Sequence, residues 1–122
     1  MYNPYQKYKE QSLTTLTPAE LVIKLFDEAI KQVKLSVINI NDKNLEEANK
    51  NIIKTEDIIN ALKFNLDDKY EISKDLEKMY DCIYDCLVDA NIKKDVEALN
   101  GICDIITDFR DTFQQASKIS KS

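Results

Sequence analysis

The side chains best suited to chemistry are three cysteines, Cys82, Cys86 and Cys103, and two acidic lines, Asp81, Asp85 and Asp89, then Asp104, Asp108 and Asp111. Cys82 and Cys86 stand one helical turn apart, a spacing that could bring two thiolates to a soft metal. A metal would need a fourth good ligand, and the chain has no histidine. Thiols at or near core positions are more often small apolar side chains, so no metal is assigned. On a helix the aspartate lines face water, with repulsion of a few tenths of a kcal/mol per pair, roughly. Glu46, Glu47, Glu56 and Asp57 could chelate Mg²⁺ for hydrolysis of nucleoside triphosphates. Glu46 and Glu47, however, adjoin each other on the helix and no partner pair follows. The absent histidine removes His-based triads, His-relay phosphotransfer, zincin sites and the Glu-x-x-His ligands of di-iron bundles. Gly101 is the chain's one glycine, which excludes a Gly-rich phosphate loop. Nothing sets a nucleophile beside a base. The expectation is therefore no enzyme and no cofactor.

Charge narrows the partners. Seventeen basic against 22 acidic side chains give a formal net charge of -5. That opposes nonspecific binding to nucleic acid or anionic lipid. No apolar run approaches the roughly 18 residues that span a bilayer, so no membrane insertion is expected. The polar, tyrosine-rich start does not resemble a signal peptide, and an odd number of cysteines reads as reduced, cytoplasmic thiols. Tyr2, Tyr5 and Tyr8 recur every three residues around Pro4. They read either as rings docked on the domain or as a mobile flap over an apolar groove.

The elements that must position these groups follow one period. Leu21, Val22, Leu25, Phe26, Ala29, Ile30, Val33, Val37 and Ile40 have the rhythm of an amphipathic helix. Thr17 can cap it, Pro18 suits its first position, Glu20 completes a capping box, and Leu16 with Leu21 is spaced as a staple, which predicts a helix over 18–41. A second helix reads Leu45, Ala48, Ile52, Thr55, Ile59, Leu62 and Leu66, with Asn44 and Glu47 as a capping box. A third reads Ile72, Leu76, Met79, Ile83, Cys86 and Ala90, and a fourth Val96, Leu99, Ile102, Cys103, Ile106, Phe109 and Phe113. Short connections make neighbouring helices antiparallel. The fold class is all-α: an up-down-up-down antiparallel four-helix bundle over 17–116, with an N-terminal leader or flap over 1–16 and a frayed tail over 117–122. Gly101, inside the fourth helix, reads as a tolerated weak spot in preference to a close helix contact.

More apolar residues are present than four core stripes require. Ile53, Ile58 and Phe64 fall beside or opposite the second seam, Ile23, Leu35 and Ile38 lie off the first, and Tyr84 lies off the third. Wide stripes and scattered surface residues account for part of this. A groove that receives another amphipathic helix would account for the rest, with Ile53 and Phe64 the residues most in need of explanation.

Asn3-Pro-Tyr-Gln-Lys-Tyr followed by Thr17-Pro-Ala-Glu-Leu-Val-Ile-Lys-Leu-Phe-Asp-Glu-Ala-Ile resembles the flagellar export chaperones of the FliS type. The resemblance continues at Ala48-Asn49 with Ile52, Ile58-Ile59 and Leu66-Asp67. It resumes at Met79-Tyr80-Asp81, Ala90-Asn91-Ile92-Lys93-Lys94-Asp95 and Phe109-Arg110-Asp111-Thr112-Phe113. Two departures are visible: members usually carry Tyr-Asp-Gly where this chain has Phe26-Asp27-Glu28, and commonly Trp at Phe113. The resemblance implies a cytoplasmic chaperone that binds the C-terminal segment of flagellin. It would prevent premature polymerisation and keep the client competent for type III export. Tyr5, Tyr8, Asn49, Ile52, Ile53, Ile59 and Leu66 are the expected client-contacting or supporting residues, with the leader covering a client surface when empty. Flagellar export-gate components are a further candidate partner, and a client-free homodimer stays open. The alternative is a generic helical adaptor or homo-oligomerising interaction domain.

Overall fold

The computed structural model describes residues 18–121, and these form four helices: α1, Pro18–Asn41; α2, Leu45–Phe64; α3, Ile72–Lys93; and α4, Val96–Lys121. Thr17, Leu16 and the leader tyrosines lie outside the described residues. Pro18 opens α1, where its fixed φ is already helical and its missing N–H loses no hydrogen bond. The fourth helix runs to Lys121, past the expected end of the bundle at Ala116.

The helices pack in a closed ring. α1 packs closely along α2 and α4, α3 packs along α2 and α4, and the backbones of the diagonal pairs α1–α3 and α2–α4 stay apart among the described residues. Cross-helix bonds give the direction. Asn49 meets Asn91 and Lys63 meets Asp81, so one number rises as the other falls, as antiparallel neighbours require. The core fills the ring with Leu25, Phe26 and Val33 of α1, Ile52, Ile58 and Ile59 of α2, Ile83 and Leu87 of α3, and Leu99 and Ile106 of α4. Fully burying one such side chain contributes about 1.5–3 kcal/mol.

Three local expectations change. Asn44 makes no side-chain cap hydrogen bond at the start of α2; its backbone carbonyl accepts from the Ala48 N–H, and Glu47 pairs instead with Lys50 at 3.3 Å. Ile58 is fully buried, not beside the seam. On α3 the seam is Tyr80, Ile83, Leu87 and Ala90, so Ile72, Met79 and Cys86 are left exposed. Tyr80 and Leu87 carry more apolar area than Met79 and Cys86, and the helix turns its larger flank inward.

Ends of helices that would normally use glycine use lysine here. Lys43 after α1 and Lys94 after α3 have φ of 62° and 50°, the left-handed conformation that closes a helix. Lys94 folds back, its Nζ donating to the carbonyl of Asn91 at 2.6 Å and to the Asn91 side chain at 2.8 Å, which places a cation on the negative end of α3. The single glycine sits elsewhere, in mid-helix. Nothing lies within 4 Å of where a Cβ on Gly101 would stand. Gly101→Ala is therefore expected to stabilise the protein by about 1 kcal/mol through helix propensity, read as a higher melting temperature. A lower one would mean that α4 needs the flexibility.

Between α1 and α2 the core is not purely apolar. Gln32 Nε2 donates to Glu28 Oε1 at 2.9 Å, Asn51 Nδ2 to Gln32 Oε1 at 3.0 Å, and Asn39 Nδ2 to Asn51 Oδ1 at 2.7 Å. Ser36 and Thr55, both fully buried, return their hydroxyls to the backbone carbonyls of Val33 and Asn51. No buried side-chain nitrogen or oxygen among the described residues lacks a partner.

Candidate functional site

At one end the ring is not filled. The start of α1, the end of α2, the connector 65–71, the start of α3 and the later part of α4 surround a cleft of about 380 Å³. Val22, Phe26, Leu62, Leu66, Leu76 and Phe113 are among its apolar lining. Four rings, three of them phenylalanine, build the floor. Phe26 and Phe109 are parallel within 2° at 6.5 Å, Phe113 tilts against Phe26 at 6.2 Å, and Tyr80 against Phe109 at 6.3 Å. Each such pair adds about 0.5–1.5 kcal/mol beyond area burial. The bundle positions them through opposed helices: the Arg110 guanidinium, one residue past Phe109, donates through Nε to Asp27 at 2.7 Å and ties α4 to α1 beside Phe26.

The rim is held by its connector. Ser73 Oγ donates to the carbonyl of Asp67 at 2.5 Å, the Lys69 N–H donates to Asp67 Oδ1 at 3.0 Å, and Asn65 Nδ2 caps the carbonyl of Ala61 at 2.7 Å. Phe64, 87% exposed, and the exposed Tyr70 and Ile72 flank this end. Burial pushes the Tyr80 hydroxyl up to about 12, so it stays protonated at physiological pH and is no general base. The Ser73 hydroxyl is engaged as a hydrogen-bond donor to the Asp67 backbone carbonyl. The cleft is equipped to take apolar side chains.

The expected contact residues do not converge on one place. Ile52 and Ile59 are sealed in the core, at 0% and 1% exposure, and reach a partner only by supporting α2 from within. Leu66, in the connector, lines the cleft. Ile53 is 43% exposed on the outer side of α2, and Asn49, one turn before it, accepts a hydrogen bond from Asn91 Nδ2 at 2.8 Å. From Ile53 to Leu66 is 13 positions along the chain, or about 20 Å at helical rise. Tyr5 and Tyr8 lie outside the described residues. The phenylalanine floor was missed because the seam pattern counts Phe26, Phe109 and Phe113 as ordinary core. The available signal was that three aromatics gather where α1 begins and α4 nears its end.

Polar groups elsewhere have local explanations. Among the described residues no group of three or more Cys, Asp or Glu side chains could hold a metal ion, and no helix is long and apolar enough to cross a membrane. Cys82 and Cys86 are exposed and Cys103 is buried. Partial desolvation along α3, then the neighbouring Cys82, raises the exposed Cys86 thiol, and burial raises that of Cys103, so both hold their protons more tightly than a free thiol.

Burial, then the charge of Asp57, likewise pushes the Glu56 carboxyl above its ordinary value of 4.5. The folded protein holds this proton more tightly than the unfolded chain, so Glu56 costs stability as pH rises from its ordinary value through the raised one. Glu56→Gln is expected to raise the melting temperature at neutral pH, with the gain vanishing below the ordinary value. Thermal melts across the acid-to-neutral range check the sign.

Comparison with known proteins adds two findings. A family model described as flagellar protein FliS matches residues 1–120. The chain is also 40% identical over 114 residues to the flagellar secretion chaperone FliS of Bacillus subtilis (strain 168), covering 93% of this chain and 86% of that protein.

Proposed function

This chain belongs to the FliS family of flagellar proteins, and on that premise we propose that it is a cytoplasmic chaperone for flagellin in flagellar secretion. It binds the C-terminal segment of flagellin, keeps that segment from premature polymerisation, and holds it in a form the export apparatus accepts. The observation that carries the reading is the open end cleft, floored by Phe26, Phe109 and Phe113 and bordered by exposed Phe64 and Ile72. An amphipathic client helix recognises such a surface through apolar side chains at helical spacing. Ile53, on the outer side of α2, extends the apolar contact along the bundle. The mechanism is binding without turnover, and the client's folding on the surface costs ordering entropy while adding specificity. Leader residues 1–16, which precede Pro18 at the cleft rim, act as a flap that competes with the client.

Calorimetric titration of the full chain with a flagellin C-terminal peptide tests this. Saturable, stoichiometric heat is expected, with helix gained on mixing and a negative heat-capacity change from apolar burial. No saturable binding at micromolar concentration would remove the proposal. Deleting residues 1–15 is expected to tighten client binding; weaker binding would place the leader inside the site instead of over it.

A further inference from the structure

The seam between α3 and α4 is the least extensively packed of the four around the ring. Along it α3 presents Ile72, Met79 and Cys86, spaced seven residues apart, as an exposed second apolar line outside the core. Met79 of α3 and Ile105, Phe109 and Thr112 of α4 line a groove of about 330 Å³, with Asp108 at its edge. Met79 is 42% and Ile105 47% exposed. One turn further along α3, Cys82 and Cys86 share a second hollow with Asp81, Asp85, Asp89 and Lys78.

The charge around this apolar floor is lopsided. Residues 71–111 hold 11 acidic and five basic side chains, against ten and eight over 18–70. Asp81 is paired with Lys63 at 2.6 Å and Asp89 with Lys93 at 3.2 Å. Asp85 and Asp108 have no ion-pair partner among the described residues, and Lys78 is the single base of the hollow. An apolar strip between carboxylates left without cations complements a helix whose own apolar stripe is flanked by lysine or arginine, as paired helices match core and edge positions. From Met79 to Asp89 is ten helical steps, about 15 Å, which accommodates three turns of a partner helix.

We propose that the α3–α4 groove docks a basic amphipathic helix of a partner protein, with the apolar stripe on Met79 and Ile105 and the cations on Asp85 and Asp108. This surface adjoins the end cleft, sharing Phe109 with it, but faces outward between α3 and α4 and does not rest on flagellin being the client. The same carboxylates repel acidic helices, nucleic acid and anionic membranes.

The test uses the full ¹⁵N-labelled chain and a synthetic amphipathic peptide of leucines at positions i, i+3, i+4 and i+7 flanked by lysines. A twin with every lysine replaced by glutamate is the control. Binding of the lysine peptide is expected to shift amide signals of Met79, Ile105 and Thr112 and to weaken with salt. The glutamate twin should not bind. Asp85→Asn with Asp108→Asn, both exposed, should leave the melting temperature unchanged and weaken binding by about three- to tenfold, as two solvent-exposed ion pairs allow. Equal binding of both peptides, shifts confined to Leu66 and Phe113 at the cleft, or an affinity unaffected by the double replacement would each overturn the proposal. So would light scattering that shows the groove already buried in a self-associated form without peptide.

Discussion

Ile52→Ala is expected to lower the stability of the protein by about 2–5 kcal/mol, the cost of a cavity at a sealed core position. Ile53→Asp, one residue later, is expected to shift stability by less than about 1 kcal/mol. The two positions differ by one step of 100° around α2. Ile52 faces the centre of the ring, and Ile53 is almost half exposed. If flagellin lies along this side of α2, Ile53→Asp lowers affinity for its C-terminal peptide by more than about tenfold, or 1.4 kcal/mol, because a carboxylate would have to be desolvated against the client's apolar face. Urea unfolding of both variants, beside calorimetric titration of the folded one, separates the effects. A collapsed Ile53→Asp bundle would assign that residue to the core; a stable variant with undiminished affinity would take Ile53 out of the client surface.

The second large effect belongs to the amide chain between α1 and α2. Asn51→Ala deletes both the donor to Gln32 Oε1 and the acceptor of Asn39 Nδ2, and Gln32 is buried. Buried polar groups left without partners cost about 1–3 kcal/mol each, so a loss of about 2–4 kcal/mol is expected. Removing both ends of the bond is different. Gln32→Leu combined with Asn51→Leu takes away the groups that need partners and adds apolar volume, so the double variant is expected to recover most of the loss. The readout is the urea midpoint at constant slope. If Asn51→Ala leaves that midpoint in place, the chain does not hold the two helices in register.

Much of the architecture was legible before any coordinates. Four segments with a 3.6-residue apolar period, separated by short links, allow little besides an antiparallel bundle, and Pro18 marked the start of α1. What the pattern could not resolve was rotation about each helix axis where apolar stripes were wide. On α3 both Ile72-Met79-Cys86 and Tyr80-Ile83-Leu87 satisfy helical spacing, and only packing against its two neighbours, α2 and α4, chooses the bulkier line. The same ambiguity placed Ile58 beside the seam when it is central. The proposed client surface was less legible for a related reason. A periodic apolar residue looks the same whether another helix of the chain covers it, as at Ile52 and Ile59, or nothing does, as around the cleft that Leu66 lines. Asn44 illustrates a third limit: a capping sequence states an ability, and Glu47 used its carboxylate on Lys50 instead.

The two ends of the bundle are built to different tolerances. At one, α1 passes to α2 through 42–44 and α3 to α4 through 94–95, and the Asn49–Asn91 bond with the folded-back Lys94 clasps α2 to α3. At the other lie the longer connector 65–71, the beginning of α1 and the cleft. Amide hydrogen exchange should therefore be graded along the long axis, slowest near the clasp and fastest around 65–71. Such a gradient would let the cleft end breathe and reshape while the far end preserves helix register, so that a four-helix unit works as a hinge-backed jaw.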